Sequence, residues 1–169
     1  MKIVFVDGYN VLNNWAELKS EKEQSFQGAR QKLIDIMHNY ATYDNCRVIL
    51  VFDGYKVAGN LESREVINKN LTIIFTKDGE TADSYIEKEV NNLGKRYEIH
   101  VVTSDSLEQL TTFQRGAIRM SSIEFHNEVM RMDYEIKGLK KNKPSQNNHI
   151  QDNVDSNVLK KLEEIRRSH

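Results

Sequence analysis

Two runs of this 169-residue chain share a pattern: Ile3-Val4-Phe5-Val6 is stopped by Asp7-Gly8, and Val48-Ile49-Leu50-Val51-Phe52 by Asp53-Gly54. An unbroken β-branched and aromatic run, with no polar alternation, reads as a strand covered on both faces. Leu71-Thr72-Ile73-Ile74-Phe75 and Ile99-His100-Val101-Val102 have the same character, which gives four such strands. Between the first two, Phe26, Ala29, Leu33, Ile36, Met37 and Tyr40 recur at three- and four-residue spacing, the mark of an amphipathic helix. Between the last two, Ala82, Ile86, Val90 and Leu93 do the same, with Thr81 as cap and Gly94 as stop. Apolar strands alternating with crossover helices predict an α/β fold: a central, mainly parallel sheet flanked by helices on both faces.

Beyond the fourth strand, Ser104 or Asp105 can cap a helix that passes through Leu107, Leu110 and Phe113 to about Gly116, and residues 123–140 form another. Residues 141–153 are polar, hold the only proline, Pro144, and cannot bury a core, so they read as a linker. A short charged helix follows. The expected organisation is thus a domain over residues 1–140, a basic and polar linker over 141–153, and a C-terminal helix over 154–169. Charge is distributed unevenly. Residues 1–130 hold 15 Lys/Arg against 19 Asp/Glu, and residues 131–169 hold 9 against 6, so the C-terminal part is the basic part. The single cysteine, Cys46, precedes an apolar run and reads as a buried thiol in a reducing compartment. No apolar run approaches the roughly 20 residues a membrane helix needs. A cytoplasmic location without a membrane partner is the expectation.

Ligands of an open parallel sheet bind outside the carboxyl ends of its strands, where neighbouring loops converge. Asp7 directly follows the first strand, Asp53 directly follows the second, and Asp105 stands two residues after Thr103 at the end of the fourth. Singly, each reads as a turn or cap aspartate. Taken together, that reading weakens, because caps need no shared edge and Ser, Thr or Asn would serve as well. A fourth acid comes from the helix that begins after the third strand. Glu80, Asp83 and Glu87 share one helical stripe there, and Asp83, beside Ala82 and three residues before Ile86, sits at the boundary of the buried face. For Glu80, favouring the positive end of the helix dipole is an equal alternative.

Carboxylates gathered within a few ångströms repel unless a cation neutralises them, so the cluster implies a hard divalent ion, Mg²⁺ or Mn²⁺. Such an ion can activate water and stabilise the charge that develops on a phosphodiester during in-line attack. Asn10 and Ser104 are uncharged groups suited to hydrogen-bonding the metal ligands or a scissile phosphate, with an Asx turn or a cap as the equal alternative for each.

The run Val6-Asp7-Gly8-Tyr9-Asn10-Val11-Leu12, together with Val51-Phe52-Asp53-Gly54, Glu80-Thr81-Ala82-Asp83 and Thr103-Ser104-Asp105, resembles the NYN domain, a branch of the PIN-like nucleases. The whole chain is similar to the YacP-type NYN proteins, including Phe75-Thr76-Lys77 and Gln114-Arg115-Gly116-Ala117. The resemblance implies a PIN-like Rossmannoid three-layer fold and a Mg²⁺- or Mn²⁺-dependent endoribonuclease. It implies that Asp7, Asp83 and Asp105 are metal-binding catalytic acids, with Asp53 and Asn10 beside them and Ser104 and Glu80 in support. It implies messenger RNA, cut in the aminoacyl site of a 70S ribosome, as the substrate, and no role with DNA.

An acidic site needs cations elsewhere to hold an RNA backbone. The candidates are Arg115 and Arg119, then Lys137, Lys140, Lys141 and Lys143, four lysines in seven residues with no acid among them. Arg131 reads better as a solvated helix residue. Tyr9, Trp15 and Tyr55 are the aromatic side chains near strand ends that could stack on bases, or could be ordinary packing. The histidines show no pair at metal-ligand spacing, so neither zinc nor a histidine base is expected. Two rival functions share part of this pattern. A phosphatase with an Asp7 nucleophile, of haloacid-dehalogenase type, needs a second Asp two residues on, where this chain has Tyr9. A non-catalytic RNA- or ribosome-binding module of the same shape is the stronger rival, but a binder of a polyanion gains nothing from gathered negative charge.

Overall fold

The four apolar runs become the four inner strands of a sheet. In the computed structural model, which describes residues 1–54, 61–103, 116–142 and 156–167, the chain runs β1 (Lys2–Asp7), α1 (Gly8–Asn14), α2 (Ala16–Gln24), α3 (Phe26–Tyr43), β2 (Arg47–Phe52), β3 (Ser63–Asn68) and β4 (Leu71–Phe75). It continues through α4 (Ala82–Leu93), a 3₁₀ turn (Gly94–Arg96), β5 (Glu98–Thr103), β6 (Ile118–Ser121), α5 (Ser122–Asn142) and α6 (Ser156–Arg167). The six strands are ordered β3-β4-β2-β1-β5-β6. All neighbours pair in parallel except β3 and β4, which are antiparallel. The chain builds outward from β1 through β2 to β4, then returns to the other side of β1 for β5. Its direction of winding therefore reverses at β1, the place where a sheet of this type leaves a crevice at its carboxyl edge.

Each face of the sheet has its own cover. On one, Ile3, Phe5, Val51, Ile74, Ile99 and Val101 pack against Ala82, Tyr85, Ile86 and Val90 of α4. On the other, Trp15 lies 5.8 Å and Tyr40 lies 5.0 Å from the ring of Phe125 in α5, centroid to centroid, and the Trp15 indole N–H donates to the Ser122 carbonyl at 2.7 Å. Full burial of side chains of this size contributes about 1.5–3 kcal/mol each. The helix limits follow local chemistry. Thr81 accepts from Ser84 N–H at the start of α4, and Gly94, at φ 61°, ends it in a conformation that L side chains rarely adopt.

The structure differs from the sequence expectation chiefly at the periphery. β3 and β6 were not expected as strands, because neither carries a buried apolar run: β3 is exposed along nearly its whole length and both are edge strands. Sheet pairing holds them. α1 and α2 were likewise not expected, since α2 is almost wholly polar and buries only Leu18. The helix expected over 123–140 is α5 (Ser122–Asn142), and the C-terminal helix is α6 (Ser156–Arg167). The helix expected from Ser104 to about Gly116, and most of the 141–153 linker, lie outside the described residues. Cys46 is buried, 2% exposed, and its thiol is pushed up to about 11, chiefly by burial. Among the described residues no helix is long and apolar enough to cross a membrane. By its contacts the chain forms two compact units, Met1–Asp133 and Tyr134–His169, with α5 continuous across that division.

Candidate active site at the carboxyl edge of the sheet

Asp7 is at once the last residue of β1 and the N-cap of α1, and its carboxylate accepts the Asn10 backbone N–H at 3.2 Å. That geometry forces a tight strand-to-helix turn. Gly8 makes the turn possible, since a Cβ there would collide with the Phe52 ring. Asp53, one residue beyond β2, accepts the backbone N–H of Ala82 and so ties the first turn of α4 to the end of β2. Thr76 reinforces the tie. Its hydroxyl accepts from Gly54 N–H at 2.9 Å and donates to the Glu80 carbonyl at 2.6 Å, and a Cβ on Gly54 would strike the Thr76 carbonyl oxygen. Asp83, exposed in the first turn of α4, accepts from the hydroxyl of Thr103, the last residue of β5, at 3.1 Å. Four strand ends and two helix starts thus hold three aspartates at one edge.

The electrostatics show that these acids interact. The Asp7 carboxyl is pushed up to about 7, first by burial and then by the negative charges of Asp83 and Asp53, against the lowering effect of the Asn10 and Tyr9 backbone N–H groups. Asp53 is also raised, by burial first and by Asp83 as well. Beside them, the side-chain oxygen of Asn10 is buried and has no hydrogen-bond partner among the described residues. An orphaned buried acceptor normally costs about 1–3 kcal/mol, so a donor or cation belongs next to it. Among the described residues no group of three His, Cys, Asp or Glu side chains is close enough to enclose an ion by itself. A Mg²⁺-type ion does not require that, since it is ordinarily held by one or two carboxylates and several waters. The donor set of hard oxygens from Asp7, Asp83 and Asn10 fits such an ion.

The remaining expected residues are distributed as follows. Glu80 is turned to Lys88, 3.2 Å away, and its other oxygen is buried without a partner among the described residues. Asp105, Ser104, Arg115 and Lys143 lie outside the described residues. Arg119, half-buried on β6, and Arg131, exposed on α5, line one cavity of about 500 Å³ together with Glu124 and Glu128. Lys137, Lys140 and Lys141 are exposed on the C-terminal part of α5. Of the aromatic candidates, Tyr55 is outside the described residues, and Trp15 is 1% exposed and cannot stack on a ligand. Tyr9 is half-buried beside the acids, its ring stacked on Phe26 at 5.6 Å and edge-on to Phe52 at 5.3 Å. Sequence reading did not find Thr76 as a site residue. Its signals were its position, directly after a strand at the edge where the aspartates gather, and its place in the Phe75-Thr76-Lys77 run.

A mainly parallel α/β sheet whose winding reverses at β1, with aspartates converging at its carboxyl edge, defines a Rossmann-like protein with an acidic edge site. The chain belongs to the YacP-like NYN domain family, whose model matches residues 4–167. It is 44% identical over 139 residues to the uncharacterized protein YacP of Bacillus subtilis (strain 168), covering 80% of this chain and 79% of that one. The crystal structure of Rae1 (YacP) from Bacillus subtilis superposes with a TM-score of 0.70 at 38% identity, over 99% of this chain and 95% of that one. A tryptophan-to-leucine mutant of the same protein gives 0.72 at 37% identity, over 90% and 89%.

Proposed function

We propose that this protein is a Mg²⁺- or Mn²⁺-dependent endoribonuclease that cuts messenger RNA in the cytoplasm, in association with the translating 70S ribosome. The observation that carries the reading is the state of Asp7: a carboxyl at a sheet edge, buried, raised to about 7 by its surroundings and by two further aspartates, beside a buried amide oxygen that has no partner among the described residues. Like charges gathered at one edge favour a cation between them. Asp7 and Asp83 would hold the ion directly, with Asn10 beside it and Asp105 from the strand-end segment after β5. When bound, it supplies charge neutralisation at the scissile phosphate and a more acidic attacking water.

The chain's own residues do the rest. The Asn10 N–H fixes one Asp7 oxygen and so orients the carboxyl. Thr103 orients Asp83 in the same way. Asp53 spends one oxygen on Ala82, so its main part is to place α4, and with it Asp83, over the edge. Ribosome association draws support from family membership and from the exposed lysines of α5, which suit an RNA backbone.

Incubation of ribosome-bound transcripts with the purified chain, followed by mapping of new RNA ends, tests the reading. Cuts that need Mg²⁺ or Mn²⁺, vanish in chelator and vanish in Asp7→Asn and Asp83→Asn are expected. Wild-type cutting that persists in chelator would overturn the metal mechanism, and association without any cutting would identify a binding module instead.

A further inference from the structure

A groove of about 880 Å³ runs between α3 and the β3–β4 pair, within the roughly 300–1,000 Å³ typical of small-molecule sites. Its floor is apolar, from Ile73 and Phe75 of β4 and Ile67 of β3. Phe75 is the register partner of Phe52, the residue before Asp53, so the groove reaches the carboxyl edge at the level of the acids. An aromatic chain joins the two places. Phe75 stacks on Phe52 at 5.5 Å, Phe52 meets Tyr9 edge-on, and Tyr9 stacks on Phe26. The charges acting on the Tyr9 hydroxyl come from Arg30, on the groove, and from Asp53, in the acidic site.

Arg30 is the unusual member. Its guanidinium lies 5.3 Å from the Phe75 ring centroid and 5.9 Å from that of Phe26, and among the described residues it makes neither a hydrogen bond nor an ion pair. Its five N–H donors are thus available to a ligand in the groove. Its neighbours narrow the choice of ligand. Gln27 brings an amide, while Asp35 and Glu65 bring carboxylates. Two acids against one cation disfavour a phosphate. Donors, acceptors and a planar cation over an apolar floor are the chemistry that reads the edge and face of a nucleobase.

We propose that this groove is a base subsite, in which an unpaired base of the RNA strand held at the acidic edge rests on the Arg30–Phe75 surface and is read along its edge by Gln27 and Glu65. The inference rests on the ribonuclease reading and deepens it by naming the part of the substrate that is recognised. Arg30 is a binding residue here and takes no part in cleavage.

The test uses the full chain and single-stranded oligoribonucleotides carrying 4-thiouridine, cross-linked in metal-free buffer so that no cutting occurs. The expected result is cross-linked peptide from residues 26–31 or 71–75, with oligonucleotide affinity about five- to tenfold lower in Arg30→Ala. Arg30→Lys keeps the charge and loses the plane, and shows most of the same loss. Circular dichroism confirms that each variant is folded. Cross-links confined to other segments, no cross-linking at all, or wild-type affinity in either variant would each overturn the subsite. A wild-type protein that cuts RNA while its cross-links avoid the groove removes the subsite alone. Cross-links in the groove without cutting under any metal remove the nuclease reading and leave the subsite standing.

Discussion

Asp7 concentrates the physical tension of the molecule in one side chain. It caps a helix, which favours a carboxylate, yet it is buried beside two other acids, which disfavours one. Burial wins, and the carboxyl is raised from 3.8 to about 7. A raised folded-state value means that the native state holds the proton more tightly than the unfolded chain, so the stabilisation is complete below about pH 4 and is lost as pH rises through about 7. Two outcomes follow. Metal-free Asp7→Asn keeps the cap acceptor and loses the buried charge, so at about pH 8 it is more stable than wild type by roughly 1–3 kcal/mol, with little difference near pH 4. Urea unfolding at the two pH values in chelator measures this, and equal stability at pH 8 would deny that the charge is strained. On the proposed metal reading, Mg²⁺ or Mn²⁺ would displace that proton, so its affinity is expected to strengthen with pH up to about 7 and to level off above it. Titration calorimetry in buffers of different ionisation enthalpy reads the proton released.

At the scale of elements, the site depends on the seam between β2, β4 and the start of α4. Asp53 and Thr76 hold that seam by one hydrogen bond to a backbone N–H and two through a hydroxyl, and Gly54 allows the close approach. Asp53→Ala removes the acceptor for Ala82 N–H and costs about 0.5–2 kcal/mol, the usual loss when a helix start loses its side-chain partner. Asp53→Asn retains the acceptor. If Asp53 acts by placing α4, Asn preserves most of the cleavage activity and Ala does not, whereas equal loss in both would assign it a direct role through its charge. Gly54→Ala drives a Cβ into the Thr76 carbonyl and is expected to lower the melting temperature by several degrees, as scanning calorimetry can record.

For the molecule as a whole, acid and base are kept apart along the chain. The aspartates belong to the unit Met1–Asp133, and the exposed lysines of α5 belong to the unit Tyr134–His169. A cluster of negative charge that is to meet a polyanion needs attraction supplied from elsewhere. Joint neutralisation of Lys137, Lys140, Lys141 and Lys143 is therefore expected to weaken association with ribosomes and to flatten its salt dependence, while metal affinity stays unchanged. Co-sedimentation with 70S particles over a salt series checks it, and an unchanged profile would move the docking surface elsewhere.

The inner strands, α3, α4 and the edge on which Asp7, Asp53 and Asp83 stand were legible in the residues, because each is a local pattern: an apolar run, a helical period, an acid directly after a strand. β3, β6 and α2 were not, since their own side chains bury little and pairing or packing by distant segments stabilises them. The same distinction divides the site. Sequence could set the aspartates at one edge and put Asp53 beside the metal-binding acids, but it could not show which backbone or hydroxyl group each one engages. The fold committed one oxygen of Asp53 to Ala82 and the hydroxyl of Thr103 to Asp83, turned Glu80 toward Lys88, and placed Arg30 of α3 over Phe75 of β4. Residue type and spacing determine which groups reach the edge of a sheet. Burial, like-charge proximity and contacts across 29 or 45 residues of chain arise only when the elements pack, and those alone decided which acid is raised, which positions and which is turned away.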